Sequence, residues 1–159
     1  MVVSDTGPLN YLIQIDQVGV LRHVFHDLAI PVEVAAELSH HRAPHRVRDW
    51  IAHPPSWLAV HDVAQTSRPL PEGRNRGEAA AISLALSVKA DMILIDDRAA
   101  AAVALARGLA VLGTLGILVM AGRQGLVDLR SAITRLQATN FRAAPRLYAA
   151  VLTAIPGDK

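Results

Sequence analysis

Short apolar runs alternate along this chain with longer stretches in which apolar residues recur at helical spacing. The runs occupy residues 1–3, 28–30, 57–60, 91–95 and 109–112. Short apolar runs that are bounded by turn residues are typical of strands buried on both faces of a parallel sheet. The pattern therefore predicts an α/β fold in which helices flank a parallel sheet.

The helical stretches follow these runs. Pro31 is predicted to begin one of the helices, because proline is preferred at the first helical position. Helices are predicted over residues 9–15, 31–38, 44–52, 77–88, 97–107, 113–121, 126–137 and 144–154. Residues 64–76 are rich in Pro, Gly and Arg, which predicts an exposed loop long enough to be functional.

Composition limits the class of protein. The 159 residues are 52% hydrophobic but only 4% aromatic, so we expect one domain over 1–159 with a core of Ala, Leu, Val and Ile. The helices from about residue 126 pack on that domain or extend it. The absence of Cys excludes a disulfide scaffold, a zinc ribbon, a thiol nucleophile and an iron–sulfur site. No segment is apolar enough to span a membrane and no signal peptide is apparent, so a cytoplasmic protein is expected.

Charge is distributed in blocks although the formal net charge is only +2. Residues 1–37 and 77–97 are acidic, whereas 38–76 and 98–159 are basic. Of the 16 basic residues, only Lys89 and Lys159 are not Arg. Arg is the side chain best suited to bidentate phosphate contacts, so the blocks indicate an acidic centre with a basic rim.

Carboxylates lie near the ends of several predicted strands and helices. Asp5 follows the first strand, and Asp96 and Asp97 follow the apolar run 91–95. Glu78 lies in the first turn of a helix, and Glu37 lies one turn after Glu33 in another. In parallel α/β folds, ligands bind outside the carboxyl ends of the strands. Each acid also has a simpler explanation, as a helix cap or a solvated surface charge.

A convergent carboxylate cluster requires a cation, because like charges at short distance raise one another's pKa. Oxygen-only ligands favour Mg²⁺ or Mn²⁺. Zinc is disfavoured: His40, His41 and His45 are closely spaced, but Arg42, Arg46 and Arg48 lie among and beside them and Cys is absent. Gly113-Thr114-Leu115-Gly116 lacks the Lys of a phosphate-binding P-loop and is better explained as a turn between strand and helix.

At these positions the sequence resembles the PIN-domain family, which includes the VapC-type toxin ribonucleases. The resemblance rests on stretches that occur in the expected order and cover residues 1 to about 142. They read V-S-D-T-G-P-L at 3–9, I-P-V-E-V at 30–34 with E-L at 37–38, G-E-A-A-A-I at 77–82, L-I-D-D-R at 94–98 and G-T-L-G-I-L at 113–118.

The resemblance implies a three-layer α/β/α domain with a parallel sheet of four or five strands, and an endoribonuclease dependent on Mg²⁺ or Mn²⁺. Carried over by motif, the catalytic and metal-binding acids are Asp5, Glu37, Glu78 and Asp96. Asp97 adjoins Asp96 as a further candidate ligand, with Asp96 favoured. Glu33 is expected to be a surface acid, and Ser4 or Thr6 to orient a ligand or water.

Three functions fit these residues. The first is a metal-dependent ribonuclease, the toxin of a toxin–antitoxin pair, with RNA as substrate, a small antitoxin as partner and a homodimer as the expected assembly. Its candidate RNA-binding residues are Arg42, Arg46, Arg48, Arg74, Arg76 and Arg98. The second is a non-catalytic PIN-like module that binds RNA or protein. The third, a phosphoaspartyl receiver or phosphatase-like domain, is disfavoured because no D-x-D follows the first strand.

Overall fold

The chain forms a five-stranded sheet in which all neighbouring strands are parallel. A computed structural model describes residues 1–63 and 76–155. The strands are β1 (Val2–Ser4), β2 (Leu28–Pro31), β3 (Leu58–His61), β4 (Met92–Leu94) and β5 (Val111–Leu112). Their order in the sheet is β3-β2-β1-β4-β5, which places β1 at the centre. The predicted α/β class and parallel sheet are confirmed.

Helices connect the strands and flank the sheet. They are α1 (Thr6–Gln14), α2 (Val20–Phe25), α3 (Val32–Ser39), α4 (His45–Ala52), α5 (Arg76–Ser87), α6 (Arg98–Ala106), α7 (Thr114–Arg123), α8 (Leu129–Gln137) and α9 (Pro145–Thr153). Helix α5 packs across β1, β2 and β4, while α8 links α7 to α9. The C-terminal helices thus pack on the sheet domain, through α7 and through direct contacts of Arg135 with Ile15 and of Phe141 with Tyr11.

One hydrophobic core holds the sheet and helices together, and it is built from aliphatic side chains and alanine. Val3, Ile30 and Ile93 come from three neighbouring strands and are fully buried. Alanines such as Ala81 and Ala100 are also fully buried, which allows helices to approach the sheet closely. Aromatic rings are scarce in the sequence and contribute only at the edge of this core.

The structure corrects several predicted boundaries. Helix α2 was not predicted, because its six residues offer less than two turns of periodicity between two turn regions. Pro31 ends β2, where it pairs with His61, and it precedes α3 rather than beginning it. Helix α1 begins at Thr6, three residues earlier than predicted. This earlier start places Asp5 at the junction between strand and helix.

Candidate active site

The acidic residues after β1 and β4 lie where the order of the sheet reverses. From β1 the chain proceeds to β2 and β3 on one side, and β4 and β5 lie on the other side. In open parallel sheets such a reversal leaves a crevice at the carboxyl ends of the two central strands. Asp5 follows β1 and donates its backbone N–H to the carbonyl of Leu94 at 2.8 Å. The ends of β1 and β4 are thereby joined at the crevice.

Asp5 is the most deeply buried carboxylate of the site, with 6% of its surface exposed. It occupies the position that precedes α1, but its side chain makes no capping hydrogen bond. Its Oδ1 atom is buried without a hydrogen-bond partner. Burial, together with the charges of Glu78, Glu37 and Asp96, raises the pKa of Asp5 to about 7. The three other predicted acids therefore lie close enough to act on Asp5.

Asp96 is anchored by Thr114 at the start of α7. The Thr114 backbone N–H donates to Asp96 Oδ1 at 2.7 Å, and its hydroxyl donates to Oδ2 at 2.6 Å. Burial raises the pKa of Asp96, while these two hydrogen bonds act in the opposite direction. A Cβ atom at Gly113 would lie 2.9 Å from Asp96 Oδ1, so the absence of a side chain there leaves room for the carboxylate.

Glu37 is held between the starts of two helices. The Thr6 hydroxyl, at the start of α1, donates to Glu37 Oε2. The Gly77 backbone N–H, in the first turn of α5, donates to Glu37 Oε1 at 3.1 Å. Glu78 is the next residue of α5, and its charge contributes to the raised pKa of Asp5. Helix N-termini favour anions, so this arrangement stabilises carboxylates that would otherwise repel one another.

Two neighbouring acids have other surroundings. Asp97 caps α6, because its Oδ1 atom accepts a hydrogen bond from the Ala100 N–H at 2.8 Å. Glu33, which was expected on the surface, is partly buried, and its Oε2 atom is buried without a hydrogen-bond partner. Ser4 donates its hydroxyl to the carbonyl of Asp5 at 2.8 Å and so does not contact a carboxylate.

The donor set suits a hard divalent cation. Asp5, Glu37, Glu78 and Asp96 offer only oxygen ligands, and the Oδ1 atom of Asp5, on which the charges of the other three act, is an unpartnered acceptor. Within residues 1–63 and 76–155, no three His, Cys, Asp or Glu side chains are already arranged to hold a metal ion. Glu37 and Asp96 are instead held by Thr6, Gly77 and Thr114, as expected for carboxylates that repel one another.

The predicted RNA-binding arginines fall in separate regions. Arg98 begins α6 directly after the acidic pair, and Arg76 begins α5; both are exposed. Arg42 and Arg46 are exposed around the start of α4, where Arg48 donates to the Ala43 carbonyl at 3.1 Å. Arg74 and most of the predicted loop 64–76 lie outside the described residues. In the histidine cluster, His40 and His41 stack at 4.2 Å, whereas His45 pairs with Asp49.

Some residues of the site were missed in the sequence analysis. The motif containing Thr114 is explained from the sequence only as a turn. In the structure it follows β5, the strand beside β4, and this position lets the Thr114 hydroxyl donate to the Asp96 carboxylate. Gly77 belongs to one of the motifs, but the sequence assigns it no role in the site. A Cβ atom there would lie 2.6 Å from each Glu37 carboxylate oxygen. The sequence signal that could have identified them is their position, since Thr114 follows a predicted strand and Gly77 lies at a predicted helix start.

Comparison with known proteins gives one result. A family model described as a PIN domain, that of DUF3368, matches residues 1–156. No curated protein and no solved structure matches the chain significantly. PIN domains are generally nucleases and typically use a divalent metal ion. Among the described helices, none has both the length and the apolar character needed to cross a membrane.

Proposed function

Since the chain belongs to the PIN-domain family, we propose that it is an endoribonuclease dependent on Mg²⁺ or Mn²⁺. The observation that carries this proposal is the state of Asp5. A buried carboxylate with an unpartnered oxygen and a pKa of about 7, facing three further acids, is costly to the fold. A divalent cation removes that cost by neutralising the charges and accepting the free oxygen as a ligand.

The residues of the chain divide into ligands and the groups that position them. Asp5, Glu37, Glu78 and Asp96 would hold the metal ion. Thr6 and Gly77 fix the Glu37 carboxylate, and Thr114 fixes that of Asp96. A bound Mg²⁺ or Mn²⁺ supplies an activated water and stabilises charge on the phosphodiester. Asp97 caps α6, which supports Asp96 as the acid of this pair that would serve the site.

Substitution of the two acids after the central strands tests the proposal. Asp5→Asn and Asp96→Asn are nearly isosteric, and each removes one negative charge from the site. We expect both to reduce Mg²⁺-dependent cleavage of single-stranded RNA by at least ~100-fold, as removing one electrostatic catalytic group does. Asp49→Asn is the matched control, because Asp49 is exposed on α4 and paired with His45. Cleavage at the wild-type rate by both variants would refute the proposal.

A non-catalytic PIN-like module remains the second candidate. It is favoured by the absence, within the described residues, of three acidic or histidine side chains already arranged around a metal position. Such a module would bind RNA or protein equally well with and without Mn²⁺. Calorimetric titration of the protein with Mn²⁺ separates the two, since heat of binding that disappears in Asp5→Asn supports the nuclease.

We also propose that the chain is the toxin of a toxin–antitoxin pair, with a small antitoxin as partner and a homodimer as its assembly. The support is the resemblance of V-S-D-T-G-P-L at 3–9 and G-T-L-G-I-L at 113–118 to the VapC-like subgroup. Induced expression of the wild type should arrest growth, whereas Asp96→Asn should not. Normal growth with confirmed, folded wild-type protein would count against this assignment.

A further inference from the structure

A groove of about 690 Å³ opens beside Asp96 and extends to the C-terminal part of the chain. We call it the arginine groove and define it by the side chains that give it its character. These are Asp96, Arg98, Phe141, Arg142, Arg146 and Leu147. Its volume falls in the range of ~300–1,000 Å³ that is typical of ligand sites. It therefore has room for a segment of a substrate adjoining the acidic centre.

The groove combines three arginines with one carboxylate. Arg98 comes from the start of α6, Arg142 from the segment before α9, and Arg146 from the first turn of α9. All three are exposed. Among the described lining residues, Asp96 is the single acid, and Thr114 already binds both of its oxygens. The charge of the groove thus favours a polyanion that leads up to Asp96.

One wall of the groove is apolar and includes an aromatic ring. Phe141 is partly buried and meets Tyr11 edge to face, with ring centroids 4.9 Å apart. This contact fixes the ring, so little conformational entropy is lost when a ligand packs on it. Leu147, on α9, is 47% exposed and leaves apolar surface beside Phe141 for a ligand to cover.

We propose that the arginine groove holds the single-stranded RNA segment adjoining the scissile phosphate. Arg98, Arg142 and Arg146 contact its phosphates, and a base packs against Phe141 and Leu147. This assignment rests on the proposed function, because it takes the acidic centre to be the place of cleavage. It adds that the C-terminal segment before and within α9 is part of the substrate-binding surface.

Single-stranded RNA fits the groove better than the other polyanions. In a duplex the bases are paired and stacked, so none is available to the apolar wall. A purely acidic peptide, such as poly-glutamate, would satisfy the arginines but would leave Phe141 and Leu147 without an apolar partner. Alternation of phosphate and unpaired base along one strand matches a surface in which arginines flank an aromatic ring.

The phosphate contacts are tested by the salt dependence of binding. The affinity for a 12-nucleotide unstructured oligoribonucleotide is measured in EDTA at several salt concentrations. The slope of log K against log salt is negative, and removing one phosphate contact makes it less steep by ~0.7 for single strands. We expect this change in Arg142→Gln and in Arg146→Gln. Arg107→Gln is the matched control. Arg98 begins α6, whereas Arg107 directly follows its last residue and does not line the groove.

The base contact is tested by Phe141→Ala against an oligonucleotide with bases and one with abasic sites. We expect the variant to bind the normal strand ~10-fold more weakly, as loss of one base–aromatic contact does. For the abasic strand its affinity should equal that of the wild type. Because Phe141 also packs on Tyr11, Phe141→Tyr is included, and this variant should bind like the wild type if the ring is what matters.

Several results would overturn the assignment. Equal loss in Arg107→Gln would mean that the chain binds RNA only through its general positive charge. Competition by poly-glutamate as strong as by RNA, with no effect of Phe141→Ala, would mark the groove as a surface for an acidic protein. Binding in EDTA does not depend on cleavage, so a failure of the proposed RNA-binding groove can be distinguished from a failure of the proposed nuclease activity. Asp5→Asn should cleave RNA at least ~100-fold more slowly than the wild type and yet bind it at least as tightly.

Discussion

Asp5 and Asp97 occupy the same position relative to the helices that follow them, yet only Asp97 acts as a cap. Asp97 accepts a hydrogen bond from the Ala100 N–H, whereas the side chain of Asp5 makes no such bond and keeps one oxygen unpartnered. The sequence could not separate the two roles, because Asp is favoured at both a helix cap and a metal site. The difference lies in burial, which depends on the packing of distant elements around the end of β1.

The raised pKa of Asp5 predicts a pH-dependent stability in the absence of metal. A carboxyl whose pKa rises on folding stabilises the native state at low pH, and that contribution is lost as pH rises. The change from 3.8 to about 7 corresponds to at most ~4 kcal/mol. In EDTA, the wild type should therefore lose stability between pH 4 and 8, and Asp5→Asn should lose less and be more stable at pH 8.

Urea unfolding at pH 4, 6 and 8 measures this effect. Asp49→Asn serves as the control, because its carboxylate is exposed and outside the site. Parallel stability curves for the wild type and Asp5→Asn would show that the Asp5 carboxyl does not titrate as its burial indicates. The difference between the two proteins should be smallest at pH 4, where Asp5 is protonated in the folded chain and about half protonated in the unfolded chain.

Substitutions at Asp96 and Asp97 should distinguish a role in catalysis from a role in capping α6. Asn is a good helix cap, so Asp97→Asn should keep both stability and cleavage, while Asp97→Ala should cost ~0.5–2 kcal/mol of stability. Asp96→Asn should show the reverse pattern, with cleavage lost and little change in unfolding. Paired measurements of RNA cleavage and thermal unfolding distinguish them. Loss of cleavage in Asp97→Asn would instead make Asp97 a ligand, the alternative that the sequence left open.

At the scale of single elements, the start of α5 is the most sensitive part of the site. Gly77 lies in the first turn, where its N–H binds Glu37 and its missing side chain leaves room for the Glu37 carboxylate. Gly77→Ala should displace that carboxylate and reduce cleavage by ~10–100-fold. Stability should change little, because the helix preference for Ala over Gly, at most ~1 kcal/mol, opposes the loss of the hydrogen bonds to Glu37.

Gly19→Ala provides the comparison for this variant. Gly19 precedes α2 in a helical conformation, and a Cβ atom there would meet nothing within 4 Å. Cleavage should therefore stay at the wild-type rate. If Gly77→Ala also cleaves at that rate, cleavage does not depend on the position of the Glu37 carboxylate. The hydrogen bonds from Thr6 and Gly77 to Glu37 are then not part of the site.

Elements were predictable from the sequence to different extents. The run 91–95 predicted β4 because Met92 to Ile95 are all apolar, as in strands buried on both faces of a parallel sheet, and the alanine-rich stretch after Gly77 predicted α5. Helix α2 was missed because six residues are too few to show helical periodicity, and its stability comes from buried Val20 and Leu21. Local pattern determines long or strongly apolar elements, whereas tertiary contacts determine short ones.

At the scale of the whole molecule, the order of the strands was beyond the sequence. The alternation of elements implies a parallel sheet, but it does not say that β1 lies between β2 and β4. That order is what brings Asp5 and Asp96 to one crevice, together with Glu37 and Glu78. The motif resemblance named these acids without their geometry, included Thr114 without giving it a role, and did not predict the groove formed with α9. Both depend on neighbours that are distant in sequence.

This convergence of distant segments predicts that a divalent metal ion stabilises the entire fold. A ligand that binds only the native state adds ~2.7 kcal/mol at a concentration 100 times its Kd. For a domain of this size, that corresponds to an increase in Tm of roughly 5–10 °C. Mn²⁺ or Mg²⁺ should produce the increase in the wild type and in Asp49→Asn, but not in Asp5→Asn or Asp96→Asn. Because protons compete for Asp5, whose pKa is about 7, the increase should be larger at pH 8 than at pH 6. An equal increase in Asp5→Asn at both pH values would place the metal elsewhere on the molecule, and the four carboxylates would then require another explanation.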